Sequence, residues 1–259
     1  MSKARVAAIS CTHVPYESKG TIDKLLNRLS ELDSEKPLTH FVHLGDLMDA
    51  TAASVHSDDP VQHTLLDEYN CAADLLKKIR SVLNPDCKFI WCHGNHDDNI
   101  LRQDPRRIPH DIRPLCNWNN VAGCGDEFRL WKQIPYRMGK EGCYQLGAII
   151  FAHGWACGQN SDELEGLKLA MACGGWSHRL TVRGHTHRPV PPTQSRRSAT
   201  ITLPWHYANV GHCAFDDRAS YTYRFDVSRW ARSFLIGECA TGRPDRLGAN
   251  SWDAAIEYL

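Results

Sequence analysis

The sequence predicts an α/β protein, on three observations. Short apolar runs of strand length alternate with longer stretches that carry a helical apolar stripe. No internal repeat, low-complexity tract or Gly/Ser-rich linker divides the chain, so residues 1–259 read as a single domain. After Pro191-Pro192 the pattern changes to closely spaced strand-like runs, which makes the last third β-rich.

In order along the chain, Val6-Ala7-Ala8-Ile9 reads as a buried strand and a helix runs from about Thr21 to Leu32. Phe41-Val42-His43-Leu44 is the next strand. Asp59-Pro60 then supplies an acidic N-cap with proline at the first helical position. Leu65, Leu66, Tyr69, Ala72, Ala73, Leu76 and Ile79 give the following helix its apolar stripe, and Asn84-Pro85 stops it. Lys88 to Cys92 is a third strand and Leu146 to Ala152 a fourth. A helix from about Asp162 to Cys173 ends on Gly174-Gly175, a suitable C-cap. Leu180-Thr181-Val182 is a fifth strand. Further strands are expected at Ala199 to Leu203, Tyr207 to Val210, Ser220 to Phe225 and Ser233 to Ile236. Residues 104–130, rich in Pro, Arg and Asn, read as an irregular insertion.

Composition excludes several classes of protein. Hydrophobic residues make up 42% and charged residues 23%, which is ordinary for a soluble globular chain and argues against wholesale disorder. Thirty basic residues balance thirty acidic ones, so the chain is not a basic nucleic-acid coat. The longest apolar runs fall well short of the ~20 residues that span a bilayer. The N-terminal residues lack the apolar core of a secretion signal. Eleven cysteines without a single C-x-x-C pair argue against a disulfide framework or a zinc ribbon. They read as reduced thiols of a cytoplasmic protein, with no membrane and no protein partner implied.

Each of the first five strands ends in residues able to bind metal. Cys11-Thr12-His13 follows the first, and Gly45-Asp46, with Asp49 beyond it, follows the second. Gly94-Asn95-His96-Asp97 follows the third, His153-Gly154 the fourth and Gly184-His185-Thr186-His187 the fifth. Ligands of open α/β sheets bind outside the carboxyl ends of strands, where loops converge. A lone His-Gly is only a turn and a lone Gly-Asp only a strand end; five such clusters in order point to a metal centre.

That order, with Asn209-Val210-Gly211 after it, resembles the calcineurin-like metallophosphoesterases, whose pattern is D-x-H, G-D, G-N-H-D/E, H-G and G-H-x-H. The likeness runs from about Val6 to Val210 and is to the short stand-alone members of bacteria and phages. It implies a four-layer α/β/β/α sandwich, two mixed sheets flanked by helices, with two divalent transition-metal ions at the strand ends. By the same resemblance one ion is held by Cys11, His13, Asp46 and His187. The other is held by Asp46, Asn95, His153 and His185, with Asp46 bridging. Two such cations ~3.5–4 Å apart clamp the oxygens of an in-line displacement and make a bridging water acidic enough to attack phosphorus. The resemblance makes His96 the proton donor to the leaving oxygen and Asp49 the carboxylate that orients it. Asp49 reads equally well as a helix-opening residue.

Cys11 stands where the family has its first Asp. A cysteine-phosphatase nucleophile would need C-x5-R, and residue 17 is Glu17. A degenerate, non-catalytic scaffold would be expected to lose several ligands, and the other six are intact. The remaining reading is a working ligand, because a coordinated thiol is deprotonated and supplies the charge of a carboxylate. Thiolate is the softer donor, so it tilts that site toward Zn or Fe, while Mn is expected to support activity.

The substrate expected is a phosphate ester, with phosphodiesters preferred and a nucleic acid or nucleotide among the candidates. A phosphomonoester of a small metabolite or phosphoprotein is the rival. No acidic residue lies between Glu165 and Asp216, whereas Lys168, Arg179, Arg183, Arg188, Arg196 and Arg197 do. Arg183 and Arg188 flank the metal histidines and are candidate phosphate contacts, or else solvated arginines. Trp118, Trp131, Trp155, Trp176 and Trp205 either stack bases or anchor core and loops.

Overall fold

The computed structural model describes residues 3–53, 63–102, 113–158, 160–174, 180–196, 205–214, 227–241 and 252–259. The first sheet grows from a βαβ pattern. Strand β1 (Lys3–Ile9) leads through helix α1 (Lys19–Glu35) to β2 (His40–His43), and α2 (Leu65–Ser81) leads to β3 (Lys88–Cys92). Helix α3 (Asn95–Leu101) and the short α4 (Gly125–Arg129) precede β4 (Lys132–Ile134). Strands β1 to β4 run parallel, and β10 (Ser233–Ala240) and β11 (Trp252–Tyr258) add antiparallel at the other edge of β1.

The second sheet has the order β5-β6-β7-β9-β8. Here β5 is Tyr144–Leu146, β6 Ile149–Ala152, β7 Leu180–Arg183, β8 Val190–Gln194 and β9 His206–Asn209. Strands β6, β7 and β9 are parallel, and α5 (Ser161–Ala172) makes the crossover from β6 to β7.

Alternation along the strands sorts side chains between layers. Ala7, Ile9, Phe41 and Trp91 face α1 and α2, packing on Leu25, Leu29, Tyr69 and Leu76. Their neighbours Val6, Ala8, Val42, Ile90 and Cys92 face the second sheet and meet Ile149, Phe151, Leu180, Val182 and Ala208. Ile150 and Ala152 turn outward onto Leu169 and Ala170 of α5. The result is the expected sandwich: helices, sheet, sheet, helix. Each buried Leu or Ile contributes roughly 1.5–3 kcal/mol. In α1 the spacing of Ile22, Leu25, Leu29 and Leu32 keeps all four on the sheet side.

Several elements depart from expectation. Helix α2 starts at Leu65, capped by Thr64 in a capping box with Asp67. Asp59-Pro60 lies outside the described residues, as do the strands expected at 199–203 and 220–225. Leu146 to Ala152 breaks at Gly147, whose φ of 56° turns the chain into the β5–β6 hairpin. Pro191 and Pro192 lie within β8, tolerated because that strand is the sheet edge and its pairing is irregular between Val190 and Thr193. The insertion is more ordered than its composition suggests. Residues 103–112 lie outside the described residues, but the rest forms 3₁₀ turns and α4, which bury Trp118 against Trp91 and Phe128.

Because β1, β2 and β3 are parallel, and so are β6 and β7, all five carboxyl ends bring their loops to one edge of the sandwich.

Candidate metal centre

The loops at that edge are tightly bent. Cys11, His13, Asp46, His185 and His187 all take positive φ, between 47° and 70°, a conformation costly for residues other than glycine. Such a concentration of strain persists only where the surroundings impose it. Gly94 is one reason the loops can meet, since a Cβ there would collide with the Asp46 side chain. Asp97 ties two loops together: its carboxylate accepts from Gly94 N–H and from Leu47 and Met48 N–H. Burial, with Asp46 nearby, pushes the Asp97 carboxyl up. Asn209 performs the same service for the Gly184–His187 loop. Its amide donates to Asp162, to the Gly184 carbonyl and to Thr186, while its oxygen accepts from Gly211 N–H.

Hydrogen bonds fix which nitrogen of each histidine faces inward. His153 Nδ1 donates to the Leu44 carbonyl at 2.6 Å, so its Nε2 is the nitrogen turned inward. Around that nitrogen lie Asp46 Oδ2 at 3.1 Å, Asn95 Oδ1 at 3.2 Å and His185 Nδ1 at 3.1 Å. His13 Nδ1 donates to the Asp49 carboxylate at 3.1 Å. Its Nε2 therefore faces His187 Nε2 at 3.3 Å and Asp46 Oδ2 at 3.8 Å. Cys11, His13 and His187 place one donor atom each within 4.8 Å of one another, and so do Cys11, Asp46 and His153. Donor atoms this close repel unless a proton or a metal cation stands among them. The donor set therefore fits metal: these two groups share Cys11, and His13, Asp46 and His96 make a third overlapping group.

Electrostatics follow from burial. Desolvation pushes His185 down to about 3 and His187 well below its usual value, so both rings are neutral donors. Burial would raise the Asp46 carboxyl, but the surrounding histidines, His153 first, outweigh it and hold it low. Burial, reinforced by Asp46, holds the Cys11 thiol well above its ordinary range. A cation reverses that order by taking the thiol's proton off.

His96 sits at the same centre, its ring 4.6 Å from that of His13. Its backbone N–H donates to Asp46 at 3.0 Å, and its Nδ1 donates to the backbone carbonyl of Asp49 at 2.6 Å. Asp49 thus meets His96 through its backbone carbonyl, while its carboxylate lies within ion-pair range of His96 Nδ1 at 3.6 Å and bonds His13 at 3.1 Å. Burial disfavours the charged form of His96, yet Asp46 and Asp49 outweigh it and raise its pKa, as suits a proton donor.

The arginines also need correction. Arg183 is 1% exposed and makes no candidate phosphate contact. Its guanidinium pairs with Glu165 and lies near Asp162, and its Nη2 donates to the Ala156 carbonyl at 2.7 Å. Glu165 in turn accepts from Trp155 and Ala156 N–H. The pair is the internal brace of the His153–Gly158 loop. The acid-free stretch from Glu165 to Asp216 concealed this, because the balancing acids belong to α5. Arg188 is half-buried at the rim, with Nη2 donating to the carbonyls of Cys157 and Gly158. Arg179 and Arg197 lie outside the described residues.

One residue at the site escaped the sequence reading. Cys157 Sγ is 2.9 Å from His185 Nε2. His185 Nδ1 faces His153 Nε2, so a neutral ring offering Nδ1 to a metal would carry its proton on Nε2 and donate it to sulfur, which would hold the tautomer a ligand needs. The one signal available was its place four residues beyond His153, on a loop that must leave the centre.

The family model described as calcineurin-like phosphoesterase matches residues 4–189. No curated protein matches the chain. Solved structures that match include a metallophosphoesterase from Sphaerobacter thermophilus, 14% identical over 98% of this chain and 88% of that one, with a TM-score of 0.48. A nuclease MPE from Pseudomonas putida is 13% identical over 89% and 84%, with a TM-score of 0.39. A dimetal phosphatase from Danio rerio is 10% identical over 93% and 96%, with a TM-score of 0.40.

Proposed function

The chain belongs to the calcineurin-like phosphoesterase family, whose chemistry is metal-dependent hydrolysis of phosphate esters, and we propose that it acts as a binuclear phosphodiesterase with residues 1–259 working as one domain. The observation that carries the reading is Asp46, whose Oδ2 lies within reach of His153 on one side and His13 on the other. Cys11, His13, Asp46 and His187 would hold one ion; Asp46, Asn95, His153 and His185 would hold the other. When bound, the ions supply Lewis acidity and an activated water. The chain's own residues do the rest. His96, held by the Asp49 carbonyl, gives a proton to the leaving oxygen. Asp49 keeps His13 in its ligating tautomer. Of the two arginines that flank the candidate metal histidines, Arg188, at the rim, is the one placed to meet phosphate.

The preference for diesters rests on His96, because a general acid matters most where the leaving group is a poor alkoxide. Mn supports turnover in this reading, and thiolate at Cys11 favours Zn or Fe on its side. All eleven cysteines are unpaired, as suits a reducing, cytoplasmic setting. Among the described residues no helix is long and apolar enough to cross a membrane.

The test loads the purified protein with Mn, Zn, Fe or Mg and measures metal content beside turnover of bis-p-nitrophenyl phosphate and p-nitrophenyl phosphate. Stoichiometric metal and faster turnover of the diester are expected, with Asp46→Ala reduced to background. A protein without stoichiometric metal is a scaffold instead. A faster monoester makes it a phosphomonoesterase.

A further inference from the structure

Of the five tryptophans weighed from the sequence, three are closed off from substrate. Trp118, Trp131 and Trp205 are buried, and Trp176 lies outside the described residues. Trp155 differs. It is half-buried, two residues past His153, with its ring 5.9 Å from that of Tyr136 and tilted by 36°. Tyr136 is also half-buried and stands edge-on to His153, ring centres 5.9 Å apart. The exposed guanidinium of Arg102 lies 5.9 Å over the Tyr136 ring, steered there by an ion pair with Asp98. Aromatic rings, a cation and a metal ligand thus form one continuous rim on the side of Asn95, His153 and His185.

From this juxtaposition we propose that Tyr136 and Trp155 form a stacking subsite for a nucleobase, with Arg102 placed to meet a phosphate of the same substrate. The proposal rests on the phosphoesterase reading and narrows its substrate class to nucleotidic diesters. The mount of Trp155 is rigid. Its N–H and that of Ala156 are clamped by Glu165, which Arg183 holds from beneath. A Cβ at Gly154 would strike that same guanidinium, so the loop is closed down upon its brace. A ring held on a braced loop loses little freedom when a base lands on it, which favours stacking over a flexible apolar contact. Arginine over an aromatic face adds a cation that is weakly hydrated and shaped for phosphate oxygens.

Thymidine 5′-(4-nitrophenyl phosphate) and methyl 4-nitrophenyl phosphate share a leaving group and differ in the nucleoside. The metal-loaded wild type should favour the thymidine ester in kcat/KM, by roughly five- to hundredfold for one stacked base. Trp155→Leu should lower that ratio by about tenfold, mainly through KM, and Trp155→Phe, which keeps a π face, should retain most of it. An unchanged ratio in Trp155→Leu, or no preference in wild type, overturns the subsite. Calorimetry with thymidine monophosphate and inorganic phosphate gives a readout independent of turnover. The nucleotide should bind more tightly than phosphate, and the margin should shrink in Trp155→Leu; equal affinities overturn the proposal. Failure to hydrolyse either ester with metal bound would count against the phosphoesterase reading, while nucleotide binding would still decide the subsite.

Discussion

Cys11 and Cys157 stand on opposite halves of one cluster. Cys11 is fully buried beside His13 and His187, and the wall behind them is aromatic, with His212 stacked on His187 at 5.0 Å and Trp230 edge-on at 4.4 Å. Cys157 is exposed against His185, in a half where Asn95, His185, Tyr136 and Trp155 are only partly covered. The same side chain is therefore set to different work. In the closed half a thiol with no solvent to stabilise its anion would ionise only onto a cation, the state in which it would act as the proposed ligand. In the open half a thiol accepts from a histidine and positions it.

His96 provides the largest test of that division, since it lies against His13 on the closed side. If the leaving oxygen receives its proton there, His96→Ala should slow cleavage of alkyl diesters by ~10²–10⁴-fold and of nitrophenyl esters far less. Equal losses on both would move His96 from proton transfer to phosphate positioning.

Next in size is Cys11. Cys11→Ala should strip the closed half of metal while leaving the open half loaded, and its loss of affinity should exceed the ~10–100-fold expected of an outer partner. Cys11→Asp should restore occupancy and keep Mn-supported turnover while weakening the preference for Zn or Fe. Metal content measured beside activity decides this, and full occupancy in Cys11→Ala would end the ligand role.

Cys157→Ala sharpens the contrast from the other side. Metal affinity at the open half should fall by ~10–100-fold, with the closed half unaffected, and Cys157→Ser should recover much of it by accepting the same hydrogen bond. Competition with a chelator reads the two halves separately. Loss at both halves would mean that the loop, not the tautomer, had been disturbed.

The smallest effect belongs to Glu68, which accepts from Ala50 N–H behind the Asp49 loop. Burial holds its carboxyl up at about 8, against an ordinary 4.5. The folded chain keeps a proton that the unfolded chain releases. The stability that comes with that proton is full below about pH 4.5 and is lost as pH rises through about 8. Glu68→Gln should remove this part of the slope, measured by denaturation at about pH 5 and pH 8, and leave the contrast between the halves unchanged.

Much of the centre was legible in the sequence because its ligands follow strands directly. A strand of apolar residues that stops at a Gly-Asp or a Gly-x-x-His declares both its direction and the place where its loop turns, and parallel pairing then brings those loops to one edge. Capping at Thr64 was missed because Asp59-Pro60 offers the same local chemistry a few residues earlier. Strands β4, β8 and β11 were missed because three to seven residues with little alternation, or with two prolines, owe their extended form to a neighbour already in place.

The sequence by itself determined the order of alternating strands and helices, the side chains able to bind metal at the strand ends and the departure at Cys11. Tertiary structure decided what each charged or aromatic residue touches. Arg183 reads as a free cation until α5 folds back and sets Glu165 against it, and Asp49 proves to meet His13 as well as His96 once the loop after β1 lies beside it. Trp155 and Cys157 become rim residues only when the two sheets close on each other. The reason is physical: periodicity along a chain records which face a residue takes, whereas the partner of a polar group is chosen among residues tens to more than a hundred positions away, by the packing that removes water from both.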